Sequence, residues 1–202
     1  MADAEKAGRP NQKSRTRKDL LRAASRLMKE GRSPTLEDVA EEALVSRATA
    51  YRYFSGVEAL LVEAALDVAM PDENFFAGDG SGDVIERLLR ADKAVAGMIA
   101  ENEAALRAML VHSLQRPVDG STLPVRQNRR TPLIEQALSP ARGTLPEAEF
   151  TRLTRALALV IGTESMLAFK DVLALDSHEA EAVRAWMIRA LVAVALAPAG
   201  KR

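Results

Sequence analysis

A run of basic, hydroxyl-bearing and aromatic side chains stands out between residues 35 and 54, in the segment TLEDVAEEALVSRATAYRYF. Their chemistry is hydrogen bonding and charge. The guanidinium of Arg47 or Arg52 can bond guanine through two N–H groups, and the hydroxyls of Thr49 and Tyr51 can bond phosphate oxygens. The methyl groups of Ala48 and Thr49 can contact thymine methyls. The segment therefore carries the side chains needed to read a nucleic acid.

Two short helices must position these side chains. We predict that Thr35 caps the first helix, with Asp38 as its capping-box partner, and that Ser46 caps the second, which runs to about Tyr53. Residues 44–45 leave room only for a sharp turn between them. This pattern is typical of a helix-turn-helix, in which the first helix packs across the second and directs its N-terminal residues into the major groove.

The rest of the chain shows helical periodicity and no alternating strand pattern. Aromatic residues are 4% of the chain, and Ala and Leu dominate its apolar positions. Ser14 is predicted to cap a first helix that ends before Gly31. Further helices are predicted near residues 57–70, 83–101, 103–115, 131–138, 147–173 and 177–197, the last capped by Ser177. We therefore expect an all-α protein of about nine helices.

The predicted organisation is a disordered basic tail at 1–13, a three-helix helix-turn-helix domain at 14–56, and a larger helical domain at 57–202. Residues 1–56 hold 12 of the 28 basic residues and 8 of the 28 acidic ones. This excess of positive charge suits a polyanionic partner, although a solvated helix face beside a disordered tail explains a charge run equally well.

Several classes of protein are disfavoured. The chain has no cysteine, only two histidines, no clustered metal ligands, no phosphate loop and no nucleophile elbow, so we expect neither an enzyme nor a cofactor or metal. The N-terminus lacks the apolar core of a signal peptide, and the apolar runs at 157–161 and 191–197 are too short to span a bilayer. We therefore expect a cytoplasmic protein that has no membrane partner.

Residues 14–62 resemble the DNA-binding part of the tetracycline-repressor (TetR) family of bacterial regulators. The family has a Thr-start helix, a Val-Ser turn into a Thr-x-Tyr-x-x-Phe helix, and a Leu-rich helix after it. The matching residues here are Thr35, Val39, Ala40, Ala43, Val45, Ser46, Thr49, Tyr51, Phe54, Glu58, Leu60 and Leu61. Two positions depart from the pattern: Leu44 stands where the turn commonly has Gly, and Val57 where a basic residue commonly precedes Glu58.

The resemblance implies a sequence-specific transcriptional regulator, most simply a dimeric repressor that a small molecule releases from a pseudo-palindromic double-stranded DNA operator. When bound it would be associated with the nucleoid. The alternative is a helical ligand-binding or interaction protein that has lost specific DNA binding, as the two departures would allow. The DNA-binding residues implied are Thr35, Ser46, Arg47, Ala48, Thr49, Tyr51, Arg52 and Tyr53.

Four of these assignments, and the role of the basic tail, have structural alternatives. Tyr51 and Tyr53 could simply pack between helices, and Arg47 and Thr49 could be exposed without contacting DNA. The basic tail could reach a minor groove or stay solvated.

The resemblance also implies that the last two helices of two subunits form a four-helix dimer interface. The candidate interface residues are Val160, Ile161, Gly162, Trp186, Leu191 and Val194. The alternative is that these stripes only cover the core of one subunit.

The resemblance further implies a ligand pocket inside the larger domain. Its candidate residues are Met98, Leu106, Met109, Leu110, His112, Leu133, Ile134, Glu164 and Phe169. Such an apolar stripe is also what an ordinary core would have, and His112 and Glu164 could bond other side chains in place of a ligand.

Overall fold

The structure, a computed structural model, describes residues 2–72, 74–114 and 126–197, with the backbone alone described for residues 2–14. Within these ranges the chain is all-helical, as predicted, and contains no strand. It has nine α-helices of seven or more residues and a shorter helix, α9. Their bounds are α1 Ala2–Lys29, α2 Leu36–Glu42, α3 Arg47–Tyr53, α4 Val57–Ala69, α5 Val84–Glu101, α6 Glu103–Leu114, α7 Arg130–Ala137, α8 Glu147–Val160, α9 Thr163–Leu167 and α10 Ser177–Leu196.

The chain divides into two compact units. Unit 1 comprises Met1–Ala69 and Asn102–Gln127, and unit 2 comprises Met70–Glu101 and Asn128–Arg202. Unit 1 therefore contains α1 to α4 together with α6. This division differs from the predicted boundary after residue 56, because α4 packs against α1 and α6 packs against α4.

The core of unit 1 explains how two very short helices can be stable. Helices α2 and α3 have seven residues each, too few to persist alone in water. Their apolar residues join one core with α1 and α4, which supply seven of its thirteen buried residues. The buried core residues are Leu20, Leu21, Ala23, Ala24, Leu27, Leu36, Val39, Ala40, Ala50, Tyr53, Phe54, Leu60 and Ala64.

Helix α1 begins earlier than the sequence predicted. It starts at Ala2, so Ser14 lies inside the helix and does not cap it. The residues around Ser14, such as Lys13 and Arg15, favour helical backbone. A single Ser among them is therefore a weak signal for a helix start.

Unit 2 is built on packing of α8 and α10 against each other and against α7 and α5. Helix α10 begins with a capping box in which Asp176, and not the predicted Ser177, is the cap. The Asp176 carboxylate accepts the backbone N–H of Glu179 at 2.8 Å, and the Glu179 carboxylate accepts the backbone N–H of Asp176 at 3.1 Å. Asp is as good a cap as Ser, so the pattern placed the cap one residue late.

The helix predicted over 147–173 is broken in the structure. Helix α8 ends at Val160, α9 begins at Thr163, and a π-helical turn follows at Ala168–Val172. The break is filled by Arg130, whose Nη1 donates to the Ala158 carbonyl at 2.8 Å and to the Glu164 carboxylate. A Cβ at position 162 would overlap that guanidinium, so a larger residue there would require the Arg130 side chain to move.

Three residues predicted for a dimer interface are buried inside unit 2. Val160, Ile161 and Gly162 lie at the break between α8 and α9, where the core of the unit encloses them. They are therefore unavailable to a second subunit as the fold stands, and the prediction is corrected. Trp186 and Val194 are exposed, and Leu191 is half-buried.

A buried ion pair joins α5 to α10. The Nε of Arg184 donates to both carboxylate oxygens of Asp92, at 2.9 and 3.0 Å, and both side chains are nearly buried. Burial raises the pKa of Asp92 above its ordinary value of 3.8, and the charge of Arg184 opposes that shift. The raised pKa means that the folded protein holds the Asp92 proton more tightly than the unfolded chain does.

We predict that Arg184→Ala lowers the free energy of unfolding by about 3 kcal/mol at pH 7, because it leaves a buried carboxylate without its cation. A raised pKa contributes stability at low pH that is lost as the pH rises through the folded value. Without Arg184 the pKa of Asp92 should rise further above 3.8, so that Asp92 can stay protonated in the folded protein at a higher pH. The decrease in unfolding free energy caused by Arg184→Ala should therefore be clearly smaller at pH 5 than at pH 7. Urea unfolding at both pH values measures the difference.

Arg189→Ala is the matched control, since Arg189 lies exposed on the same helix and its removal should cost less than about 0.5 kcal/mol. If Arg184→Ala lowers the free energy of unfolding equally at the two pH values, the upward shift of the Asp92 pKa is contradicted.

Candidate nucleic-acid interface

The N-terminus of α2 has the predicted capping box. The hydroxyl oxygen of Thr35 accepts the backbone N–H of Asp38 at 3.2 Å, and the Asp38 carboxylate accepts the backbone N–H of Thr35 at 2.8 Å. That backbone N–H, donating to the carboxylate, lowers the pKa of Asp38 below its ordinary value. The cap sets where α2 begins and so fixes its register relative to α3.

The turn between the helices forms although a residue with a Cβ occupies it. Leu44 takes the left-handed conformation, with φ 56°, and its side chain is 93% exposed. The N–H of Val45 bonds the carbonyl of Ala40 at 2.9 Å, which is the bond that closes a Schellman-type helix end. Leu44 therefore bears a strain of about 1–2 kcal/mol without altering the turn.

Helix α3 has one buried face and one exposed face. Ser46 caps it, because its hydroxyl oxygen accepts the backbone N–H of Thr49 at 3.1 Å. Ala50 and Tyr53, followed by Phe54, face the core of unit 1. The exposed face carries most of the predicted DNA-binding residues: Ser46, Arg47, Ala48, Tyr51 and Arg52 are exposed, and Thr49 is half-buried.

The two tyrosines of α3 lie in different environments. Tyr53 is only 6% exposed and packs in the core, so its predicted DNA contact is corrected to a packing role. Tyr51 is 46% exposed and lies on the outer face. The difference follows from helix geometry, since positions two apart point in nearly opposite directions around an α-helix.

Glu37 of α2 is a polar residue of this surface that sequence reasoning missed. Its Oε1 lies 2.7 Å from the Nε of Arg47, in an ion pair, and accepts the hydroxyl of Tyr51 at 3.2 Å. The guanidinium of Arg47 also lies 5.6 Å from the centre of the Tyr51 ring. The three side chains form one cluster, and no spacing within α2 signals it, because only the packing of α2 against α3 brings Glu37 there.

Arg17 is the second residue that the sequence did not single out. It is one of the basic residues of segment 1–56, which suits a polyanionic partner, but its side chain is buried and pairs with Glu63 of α4. Its Nη1 donates to the Tyr53 carbonyl at 3.2 Å, and its guanidinium lies 4.3 Å from the centre of the Phe54 ring. Arg17 thus ties the C-terminal end of α3 to α1 and α4.

The predicted pocket residues do not all lie in one unit. Met98, Leu133, Ile134, Glu164 and Phe169 belong to unit 2, where Glu164 is bonded by Arg130. The other four lie on α6 in unit 1, where Leu106 and Met109 are buried and Leu110 and His112 are half-buried. A small cavity in unit 1 is lined by Arg17, Tyr53, Phe54, Ser55, Ala59, Glu63, Met109, His112 and Ser113.

Comparison with known proteins identifies this helix-turn-helix. Residues 20–64 match the family model described as bacterial regulatory proteins, tetR family. The N-terminal part of the chain is a tetR-family domain. The match spans α2, the turn at Leu44 and α3 with their supporting helices, which confirms the predicted resemblance. The chain is a DNA-binding transcriptional regulator, as that domain indicates.

The fold comparison gives a similar protein. The chain resembles the crystal structure of a TetR transcriptional regulator from Rhodococcus sp. RHA1, with 21% sequence identity and a TM-score of 0.47; the likeness covers 88% of this chain and 96% of that chain. A search among curated proteins finds no match.

Among the described residues, no helix is both long and apolar enough to cross a membrane. The same residues include no group of three or more His, Cys, Asp or Glu side chains placed to hold a metal ion.

The strained turn of the tetR domain gives a test of its geometry. We predict that Leu44→Gly raises the free energy of unfolding by about 0.5 kcal/mol, because relief of the left-handed strain exceeds the entropy that Gly adds to the unfolded chain. Ala43→Gly is the control: Ala43 has φ −84°, so Gly relieves nothing there and should destabilise by about 0.5–1 kcal/mol. Chemical unfolding of both variants gives the comparison, and a loss of stability in Leu44→Gly would rule out the left-handed turn.

Proposed function

We propose that this regulator is a dimeric repressor, that two copies of α3 read a pseudo-palindromic operator, and that a small-molecule effector releases it. The observation that carries the proposal is the division of α3 into two faces. One face is held in the core by Tyr53 and Phe54, and the other presents two arginines and three hydroxyl groups outward. This arrangement suits a helix that must enter the major groove as a rigid unit.

Each exposed group has a matching DNA partner. The guanidinium groups of Arg47 and Arg52 suit guanine edges or phosphates, and the Ala48 methyl suits a thymine methyl. The hydroxyls of Thr35, Ser46, Thr49 and Tyr51 are assigned to phosphate oxygens or base edges. Val57 offers no charge at the start of α4, so we expect one phosphate contact fewer there than a basic residue would provide.

A dimer is proposed because α10 exposes an apolar stripe in unit 2. Val183, Trp186 and Val194 lie at helical spacing on α10, and Trp186 is 69% exposed. Leu159 of α8, the helix packed against α10, is also exposed. Large exposed apolar side chains grouped on adjacent helices favour association, and Trp is the residue most enriched in strong interfaces.

Dimerisation also suits the small size of the reading element. A seven-residue helix can contact only a few base pairs, so a single copy gives limited affinity and limited discrimination. Two copies related by a two-fold axis would read two half-sites about one helical turn of DNA apart.

Effector release is proposed to act through α6. This helix packs against α4, and its His112 and Met109 line the cavity beside Arg17 and Phe54. A ligand that favours a different placement of α6 would therefore disturb the support of α3. It would lower DNA affinity only by its differential affinity for the two arrangements.

The alternative, a helical ligand-binding or interaction protein without specific DNA binding, loses part of its support. It relied on Leu44 and Val57, and Leu44 leaves the turn between α2 and α3 intact.

Selection of bound sequences from a random DNA pool, at low and at physiological salt, tests the proposal. We expect one pseudo-palindrome to be enriched at both, with affinity falling steeply as salt rises. Arg47→Ala combined with Tyr51→Ala should abolish that enrichment while the dimer remains intact. Lys93→Ala, an exposed charge removed from α5 in unit 2, is the control and should leave the enriched site unchanged. Retained operator affinity in the double variant would refute the assigned reading face.

Trp186→Glu tests the dimer interface. We expect the dimer to dissociate at least about 100-fold more readily, because a carboxylate would be buried without a partner. Sedimentation equilibrium measures the association, and circular dichroism should show unchanged helicity since Trp186 is exposed. Leu114→Glu, at an exposed apolar position of α6 in unit 1, is the control that should not alter association. An unchanged association constant for Trp186→Glu would exclude this stripe as the interface.

A further inference from the structure

The cluster of Glu37, Arg47 and Tyr51 places a carboxylate on the reading face of the tetR domain. One oxygen of Glu37 forms an ion pair with Arg47 and accepts the hydroxyl of Tyr51, and all three side chains are at least partly exposed. We propose that Glu37 is a positioning residue that determines specificity: it holds Arg47 and Tyr51 in one arrangement, so that Arg47 reads a guanine edge and does not settle on a phosphate. The inference rests on the proposed reading of an operator by α3.

The atoms that make the contact matter. The Oε1 of Glu37 lies 2.7 Å from the Nε of Arg47, so the ion pair approaches the guanidinium from its Nε side and leaves the N–H groups of the two terminal nitrogens for another partner. Those two nitrogens are the pair that bond O6 and N7 of guanine together. The ring of Tyr51 beside the guanidinium restricts its orientation further. Arg47 is thereby oriented before DNA arrives.

The charge of Glu37 supports the same reading. DNA carries one negative charge per about 1.7 Å of its axis, so a carboxylate at this surface weakens attraction to any sequence. An exposed ion pair adds little to folding stability, since such pairs contribute at most about 1 kcal/mol. The effect of Glu37 should therefore appear in discrimination between DNA sites. Its carboxylate lowers the affinity for DNA of any sequence, and its contact with Arg47 keeps that guanidinium from binding phosphates regardless of sequence.

The other carboxylates of α2 do not share this position. Asp38 closes the capping box with Thr35, and Glu42 pairs with Arg26 at 2.8 Å. Glu41 lies exposed on the same helix, and among the described residues no hydrogen bond or ion pair joins its side chain to α3. Glu41→Gln therefore removes the same charge from the same helix without touching Arg47, which makes it the matched control.

The test compares Glu37→Gln, Glu41→Gln and Arg47→Ala by random-pool selection followed by binding measurements on the enriched operator and on a scrambled duplex. In Glu37→Gln we expect discrimination to fall about tenfold at the base pair that Arg47→Ala also stops reading. Affinity for the scrambled duplex should rise about threefold, and the salt dependence should steepen by about one phosphate contact. Glu41→Gln should leave the base-preference profile of the wild type unchanged.

A double variant shows whether Glu37 acts through Arg47. Glu37→Gln added to Arg47→Ala should cause no further loss of discrimination at that base pair, since the residue that it positions is already gone. The proposal would be overturned if Glu37→Gln kept the guanine preference and lost a cytosine preference at another position. Glu37 would then contact the cytosine amino group directly.

Two more outcomes separate this inference from the proposed function. If Glu37→Gln and Glu41→Gln change binding equally, only net charge matters and the positioning role is refuted, although operator binding stands. If the wild-type protein enriches no site, the proposed function fails and the inference fails with it.

Discussion

The reading helix α3 has only seven residues, and the rest of unit 1 is arranged around the need to hold it still. Its inward face contributes Ala50, Tyr53 and Phe54 to a core that α1 and α4 largely supply. A helix this short has no stability of its own, so its position is only as fixed as those contacts. Arg17 adds a directional element, since its buried guanidinium bonds the last carbonyl of α3 and pairs with Glu63. Such a pair is weak evidence for net stability, but it specifies one arrangement of three helices.

The basic residues of unit 1 lie in different environments, which its net charge does not reveal. Some basic residues are paired with carboxylates of the protein itself: Arg17 is buried against Glu63, and Arg26 bonds Glu42 on the surface. Others are exposed but directed by a neighbour, as Glu37 directs Arg47. Counting charges along the sequence therefore overstates how many cations can meet a polyanion. What matters for reading a sequence of bases is which donors stay available and how they are aimed.

Unit 2 shows a similar dependence on contacts distant in sequence. The residues 147–173 have helical periodicity throughout, yet the helix breaks after Val160, where Ile161 and Gly162 leave the helical conformation and the side chain of Arg130 bonds both sides of the gap. The same break buries residues that periodicity alone assigned to a dimer interface. The apolar stripe on α10 that contains Trp186 stays exposed. The exposed apolar surface of unit 2 is therefore narrower than the apolar periodicity of the sequence implied.

The sequence by itself determined the helical class, the caps at Thr35 and Ser46, the helix-turn-helix and its family, because these depend on residues within a few positions of each other. It also placed the outward residues of α3, since helical spacing decides which side chains share a face. Only the tertiary structure decided that Tyr53 is buried, that Arg17 faces inward, that Glu37 reaches Arg47, and that α6 belongs to unit 1. The physical reason is range: local patterns encode backbone conformation, whereas burial and side-chain partners depend on packing between helices that are far apart in the chain.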